Sequence, residues 1–192
     1  MKSERSCVGR RVVLRGAVGF GLGLCLAPRR VVGQSEAASM TFPKEGDLLV
    51  KAGDASSQPL APDDIPRNEA PTMAWAMDPT DKTVRSGSRL NAVLLVRLDV
   101  SRLSTLSRPR AAEGVVAYTA ICTHSGCEVS DWLPDDQILS CPCHDSMFDP
   151  KNDGKVVDGP APRGLPALPL KVAAGKLLVA GPFTSRVGFE AI

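Results

Sequence analysis

Four of the six cysteines and both histidines of this 192-residue chain fall within residues 122–144. They stand in two short segments, Cys122-Thr123-His124-Ser125-Gly126-Cys127 and Cys141-Pro142-Cys143-His144-Asp145-Ser146. Cys122 and His124 are one residue apart, so a single turn can aim both side chains at one centre. Cys141 and His144 are two residues apart and can do the same from the opposite side. Sixteen residues join His124 to Cys141, enough for a hairpin that brings the segments face to face. Two thiolates and two imidazoles converging in this way suit a transition-metal centre. A structural zinc site draws on the same residue types, but zinc fingers usually present paired Cys-x-x-Cys knuckles, and four ligands would leave two of these six residues over. A plain disulfide knot is the third reading.

The pattern C-x-H, sixteen residues, C-x-x-H resembles the Rieske iron–sulfur family, in which two cysteines hold one iron and two histidines the other. The form C-T-H-x-G-C … C-P-C-H-x-S is similar to the high-potential, disulfide-containing branch of that family. The likeness runs over roughly residues 115–172, including Gly159-Pro160-Ala161-Pro162, which looks like the family's proline-rich loop over the cluster. It implies one [2Fe–2S] cluster, with Cys122 and Cys141 as thiolate ligands and His124 and His144 as imidazole ligands. It further implies a Cys127–Cys143 disulfide pinning the loops together, and a hydrogen bond from the Ser146 hydroxyl to a bridging sulfide. Neutral imidazoles in place of two thiolates put such centres at about −150 to +300 mV. Phe148 stands where high-potential members carry a tyrosine, and Asp145 where glycine is more usual. Both departures lead to the expectation of a positive but moderated potential.

The resemblance implies one-electron transfer, with the protein acting as an electron-transfer subunit and not as a stand-alone enzyme. The expected role is a periplasmic carrier or redox subunit between an oxidoreductase or quinol and a cytochrome c-like acceptor. The family's ligand histidines further imply coupled electron and proton uptake. One alternative is the iron–sulfur subunit of a membrane quinol–cytochrome c reductase, whose relatives carry a transmembrane helix, a hinge and an apolar residue where this chain has Ser125. Another is the small subunit of an arsenite oxidase-like molybdoenzyme, a likeness of layout only. A ring-hydroxylating oxygenase would need a further mononuclear iron site, and no histidine remains to build one.

The elements that must carry these loops read as all-β: stacked antiparallel sheets of the Rieske fold with a small cluster-binding subdomain over about residues 118–163. Aromatics are scarce at 4%, whereas 17 glycines and 16 prolines favour short strands joined by turns. Strands are expected at Leu48–Val50, Met73–Met77, Ala92–Val100, Val115–Ile121, Ile138–Leu139, Lys155–Val157, Leu168–Val172 and Lys176–Ala180, the last two joined at Ala174-Gly175. Residues 52–72 read as a surface loop, and 101–113 as a short helix or an irregular crossover.

Residues 1–39 read as a leader and 40–192 as the functional domain. Arg10-Arg11-Val12-Val13-Leu14, an apolar stretch from Gly16 to Ala27 and a small, polar run to Ser39 resemble a twin-arginine export signal. Export of a folded protein suits a chain whose cluster is inserted beforehand, and an oxidising periplasm permits the disulfide. The dozen residues between Arg15 and Pro28 fall short of the ~20 needed to span a bilayer, so cleavage is expected, after Gly33 or Ala37, with a retained anchor as the alternative. Seven of the 23 basic residues and one of the 21 acidic ones lie in residues 1–33, which leaves the rest about four charges negative. No basic face for nucleic acid is expected.

Overall fold

The computed structural model describes residues 36–189, so the expected leader lies almost wholly outside the described residues. Among the described residues, ten strands form two antiparallel sheets. The larger sheet has the order β4-β3-β2-β1-β10-β9, built from β1 (Leu48–Lys51), β2 (Thr72–Met77), β3 (Val93–Arg97), β4 (Val115–Thr119), β9 (Leu170–Ala173) and β10 (Lys176–Val179). The smaller has the order β5-β6-β7-β8, from β5 (Asp131–Leu133), β6 (Ile138–Cys141), β7 (Ser146–Asp149) and β8 (Lys155–Asp158). The expected all-β class holds. The one α-helix described is the short α1 (Glu36–Met40), and no helix among the described residues is long and apolar enough to cross a membrane.

The two edges of the larger sheet are drawn together. Thr119 N donates to Pro166 O at 3.0 Å and Leu168 N to Ala117 O at 2.9 Å, so β4 is laced to the segment leading into β9. The curled sheet therefore has an inside and an outside, and both are apolar. In β3 the run Val93-Leu94-Leu95-Val96 is buried throughout, because alternate side chains enter different cores. Val93 and Leu95 join Val115, Ala117 and Leu177 inside the curl. Leu94 and Val96 join Val116 and Tyr118 on the outer face, where they meet Leu139, Phe148 and Cys141 of the smaller sheet. The larger sheet is thus a wall between two cores, and the second core is the floor beneath the Cys/His loops.

The expected strands are present, most of them within a residue or two of their expected bounds. The Ala92–Val100 run ends early, at Arg97, because Asp99 caps a single 3-10 turn at Val100–Arg102 by accepting from Ser101 N. That turn and another at Arg108–Arg110 make residues 101–113 an irregular crossover. The 52–72 stretch is a loop, yet Leu60 is stitched into the sheet: its N donates to Leu49 O and its O accepts from Leu177 N, each at 2.8 Å. Strands β5 and β7 lie outside the sequence expectation.

One buried ion pair braces the entry to the domain. Arg85 Nε and Nη2 donate to the two Asp47 carboxylate oxygens at 2.5 and 2.9 Å, both side chains being 3% exposed. Arg85 Nη1 also donates to Thr41 Oγ1 at 2.6 Å, and Asn91 Nδ2 to Thr41 O at 2.8 Å, which fastens residues 38–41 to the turn at Arg89–Asn91. The Asp47 carboxylate, through its hydrogen bonds, holds the Arg85 guanidinium further above its ordinary value. Removing one partner of such a pair leaves a buried charge uncompensated, which costs about 3–5 kcal/mol; Asp78, reaching Arg85 at 3.3 Å, offsets part of that. Asp47→Ala is expected to lose about 3 kcal/mol in urea unfolding, and a loss below about 0.5 kcal/mol would contradict the role given to the pair.

Candidate metal centre

Both Cys/His segments are tips of antiparallel pairs. The first follows β4, where Ile121 bridges to Glu128 and Cys122 N donates to Cys127 O at 2.8 Å, closing the loop at its neck. Gly126 takes φ +77°, a left-handed conformation that glycine adopts without penalty, and its N donates back to Cys122 O at 3.1 Å. The second is the turn of the β6–β7 hairpin: Cys141 pairs with Ser146, and residues 142–145 form the tip. Here Asp145 supplies the left-handed residue, at φ +57°, and its N donates to Cys141 O at 3.0 Å. That backbone requirement explains why glycine is the usual choice at this position, and why aspartate, among the side chains that best tolerate the conformation, can replace it.

The loops meet face to face. Cys127 and Cys143 are joined by a disulfide with their Cα atoms 6.5 Å apart, the pairing the resemblance implied. The rings of His124 and His144 meet edge to face with centroids 4.7 Å apart. Cys122 and Cys141 are free thiols, each 1% exposed, in the core that also holds Leu139 and Phe148. Exposure rises toward the tip: His124 is half-buried and His144 exposed.

Polar atoms at this site are left without partners in a telling way. His124 Nδ1 and Ser146 Oγ are buried and make no hydrogen bond within the protein, although buried polar groups are normally paired. Burial pushes the Cys141 thiol up, and the neighbouring Cys122 thiol adds to this, while the backbone N–H groups of Cys143 and His144 pull the other way by pointing at its sulfur. Two buried thiols, a buried imidazole nitrogen and a buried hydroxyl carried by these two loops fit a cationic centre with inorganic acceptor atoms.

A single zinc ion fits less well. Its ligands sit about 2.0–2.3 Å from the metal, which packs the donor atoms closely. Among the described residues, the one group of three such donors within 4.8 Å of one another is Cys127, Cys141 and Cys143, and it contains neither histidine. Two of those sulfurs are bonded to each other and cannot serve as thiolates. Donors spread more widely than one ion can gather suit a centre with two metals.

Comparison with known proteins bears on the choice. The Rieske [2Fe-2S] domain matches residues 79–169. A cytochrome bc1 complex Rieske iron–sulfur subunit of Streptomyces lividans is 31% identical over 151 residues, covering 77% of this chain and 88% of that protein. The chain belongs to the Rieske iron–sulfur protein family. Such a protein carries one [2Fe–2S] cluster, as the sequence led us to expect. A putative respiratory nitrate reductase Rieske subunit of Haloferax mediterranei is 46% identical over 76 residues, which is 39% of this chain and 34% of that one. This Rieske protein likewise spans 26% and 55% of the length of two further bc1-complex Rieske subunits. The soluble domain of Rieske protein II from Sulfolobus acidocaldarius is 32% identical, with a TM-score of 0.37 over 41% of this chain and 45% of that one.

Two supports of the Rieske loops were not legible in the sequence. The Thr123 hydroxyl donates to Arg163 O at 2.6 Å, tying the first loop to the segment after the proline-rich loop. Gly159, at φ +83°, lies so close to the second loop that a Cβ there would come within 2.5 Å of Asp145 O and Ser146 Cα. The proline-rich loop thus packs on the base of the second loop, and only glycine fits at the contact.

Asp145 joins a conformational strain to a negative charge beside the centre. Asp145→Gly is expected to raise stability by about 1 kcal/mol by relieving the left-handed backbone, and to raise the reduction potential by removing an anion that opposes an added electron. Thermal melting and protein-film voltammetry check both; a lowered potential would contradict the electrostatic part.

Proposed function

We propose that Cys122 and Cys141 hold one iron and His124 and His144 the other, and that the protein passes single electrons through this centre. The observation that carries the assignment is the pair of buried free thiols lying beneath two imidazoles that meet at 4.7 Å across a disulfide-locked pair of loops. The cluster, when bound, supplies a reversible one-electron couple whose potential the neutral imidazoles raise. The protein's part is mechanical and electrostatic. Cys122 and Cys141 anchor the inner side and exclude water. Ser146 Oγ, wholly buried and without a protein partner, would donate to the inorganic sulfur of a bound cluster and favour its reduced form. The more exposed His144 forms the face through which electrons are exchanged.

The chain is a Rieske iron–sulfur electron-transfer protein, and the proposal at the next level is a redox subunit between an oxidoreductase or quinol and a cytochrome c-like acceptor. Export by the twin-arginine route to the periplasm belongs to the same proposal, supported by the Arg10-Arg11 leader and by the disulfide. A second reading, the iron–sulfur subunit of a bc1-type complex, is favoured by the likeness to the Streptomyces lividans subunit across most of its length. Membrane fractionation of the native protein, with the N-terminus of the mature form sequenced, separates the two. Firm retention with an uncleaved leader favours the bc1 reading, and a soluble form beginning near residue 34 or 38 favours the carrier.

The ligand assignment has its own test. His124→Cys replaces a neutral ligand by an anionic one, so the cluster is expected to fall in potential or to be lost, with the disulfide retained. Native absorption, resonance and potential in that variant would contradict the assignment.

A further inference from the structure

The first loop also meets an element remote in sequence. Beyond β10 the chain returns to it through Val187-Gly188-Phe189. A Cβ built on Gly126 would lie 2.9 Å from Phe189 Cδ1 and 3.2 Å from its Cε1, so the Phe189 ring rests directly on that glycine. Beside the ring, Arg89 Nη2 lies 3.4 Å from the same Cβ position, and Arg89 Nη1 donates to Gly126 O at 2.6 Å. Arg163 closes the circuit: its Nη2 donates to Gly188 O at 2.6 Å, and its own carbonyl accepts from Thr123 Oγ1 at 2.6 Å. The peptide between Cys122 and Cys127 is therefore held by a ring, by a guanidinium and by the arginine that also grips residues 187–189.

The mounts of these contacts are themselves firm. Arg89 sits on a 3-10 turn capped by the Ser88 hydroxyl and anchored by the wholly buried Asn91, which donates to Thr41 O and Arg85 O. Phe189 is 43% exposed, more than an aromatic ring needs for a place in the core. It belongs to neither hydrophobic core and rests on a glycine backbone, so filling the core does not explain it.

We propose that residues 187–189, with Arg89 and Arg163, form a strap that positions the His124-bearing loop and tunes the potential of the centre. The claim rests on His124 being a ligand, as assigned above. Arg89 and Phe189 act on the loop backbone and Arg163 on Thr123 and Gly188, and all three are positioning residues. Holding Gly126 by both a ring contact and a hydrogen bond limits how far the loop can relax when the charge of the centre changes. The fixed guanidinium of Arg89 adds a positive charge beside the loop, which favours the reduced form. Because Arg89 is exposed, its through-space part is screened by salt, while the hydrogen bond to Gly126 is not.

The test uses the holoprotein with its disulfide intact. Arg89→Gln is expected to lower the midpoint potential in film voltammetry, by more at low than at high salt, and to speed amide hydrogen exchange in residues 122–127. Arg89→Lys is expected to restore most of the potential and only part of the protection, since a point charge replaces a planar fork. Phe189→Ala is expected to speed exchange several-fold in residues 122–127 while leaving 141–146 unchanged. An unchanged potential and unchanged exchange in Arg89→Gln, or an equal rise in both loops in Phe189→Ala, would overturn the strap. Either result, obtained with native cluster spectra, leaves the ligand assignment standing; failure of that assignment shows instead as native spectra in His124→Cys.

Discussion

Burying sulfur beside sulfur is the constraint that the rest of the molecule serves. Cys122 and Cys141 are almost wholly withdrawn from water, and at Cys141 burial favours the neutral thiol. Thiolates persist at such depth only where cationic partners lie against them, so the two residues must be presented together and at a fixed separation. They belong to loops whose ends are many residues apart, and loop tips ordinarily move. The fold answers with the Cys127–Cys143 bridge, the β6–β7 hairpin register and the closed neck between Cys122 and Cys127.

These supports rest in turn on the wall formed by β3 and β4. Because both faces of β3 are buried, the strand cannot slip by one residue without exchanging its two apolar sets, one fitted to the inner core and one to the core beneath the loops. The sulfur ends of the loops are continuous with the second core, whereas the imidazole ends face outward. The molecule therefore runs from dry and apolar at Cys122 and Cys141 to accessible at His144. That gradient suits a centre that must keep its sulfide from water while meeting a partner at one side.

The constellation was the most legible part of the sequence, since residue type and spacing are local properties. The β3 run came next, because an unbroken apolar stretch has few other homes, although its end at Arg97 was set by the Asp99 cap. Strand β7 stayed hidden because Ser146-Met147-Phe148-Asp149 begins on a residue claimed by the ligand motif and is only four residues long. Strand β5 has three residues and an exposed start at Asp131. The disulfide came by resemblance, since spacing alone leaves the pairing open. Arg89 lies 37 residues before the carbonyl it binds, and Phe189 lies at the far end of the chain, so neither contact has a local signature. The left-handed backbone of Asp145 was invisible for the opposite reason: aspartate does not announce it as glycine would.

Pulsed electron–nuclear double resonance on the reduced protein, grown with ¹⁵N-labelled histidine, tests the asymmetric ligand set most directly. Couplings from two inequivalent histidine nitrogens are predicted, with one lost in a His144 variant that keeps its iron. An iron-containing sample with no nitrogen coupling, or with a single one, would contradict the arrangement of two sulfur and two nitrogen ligands.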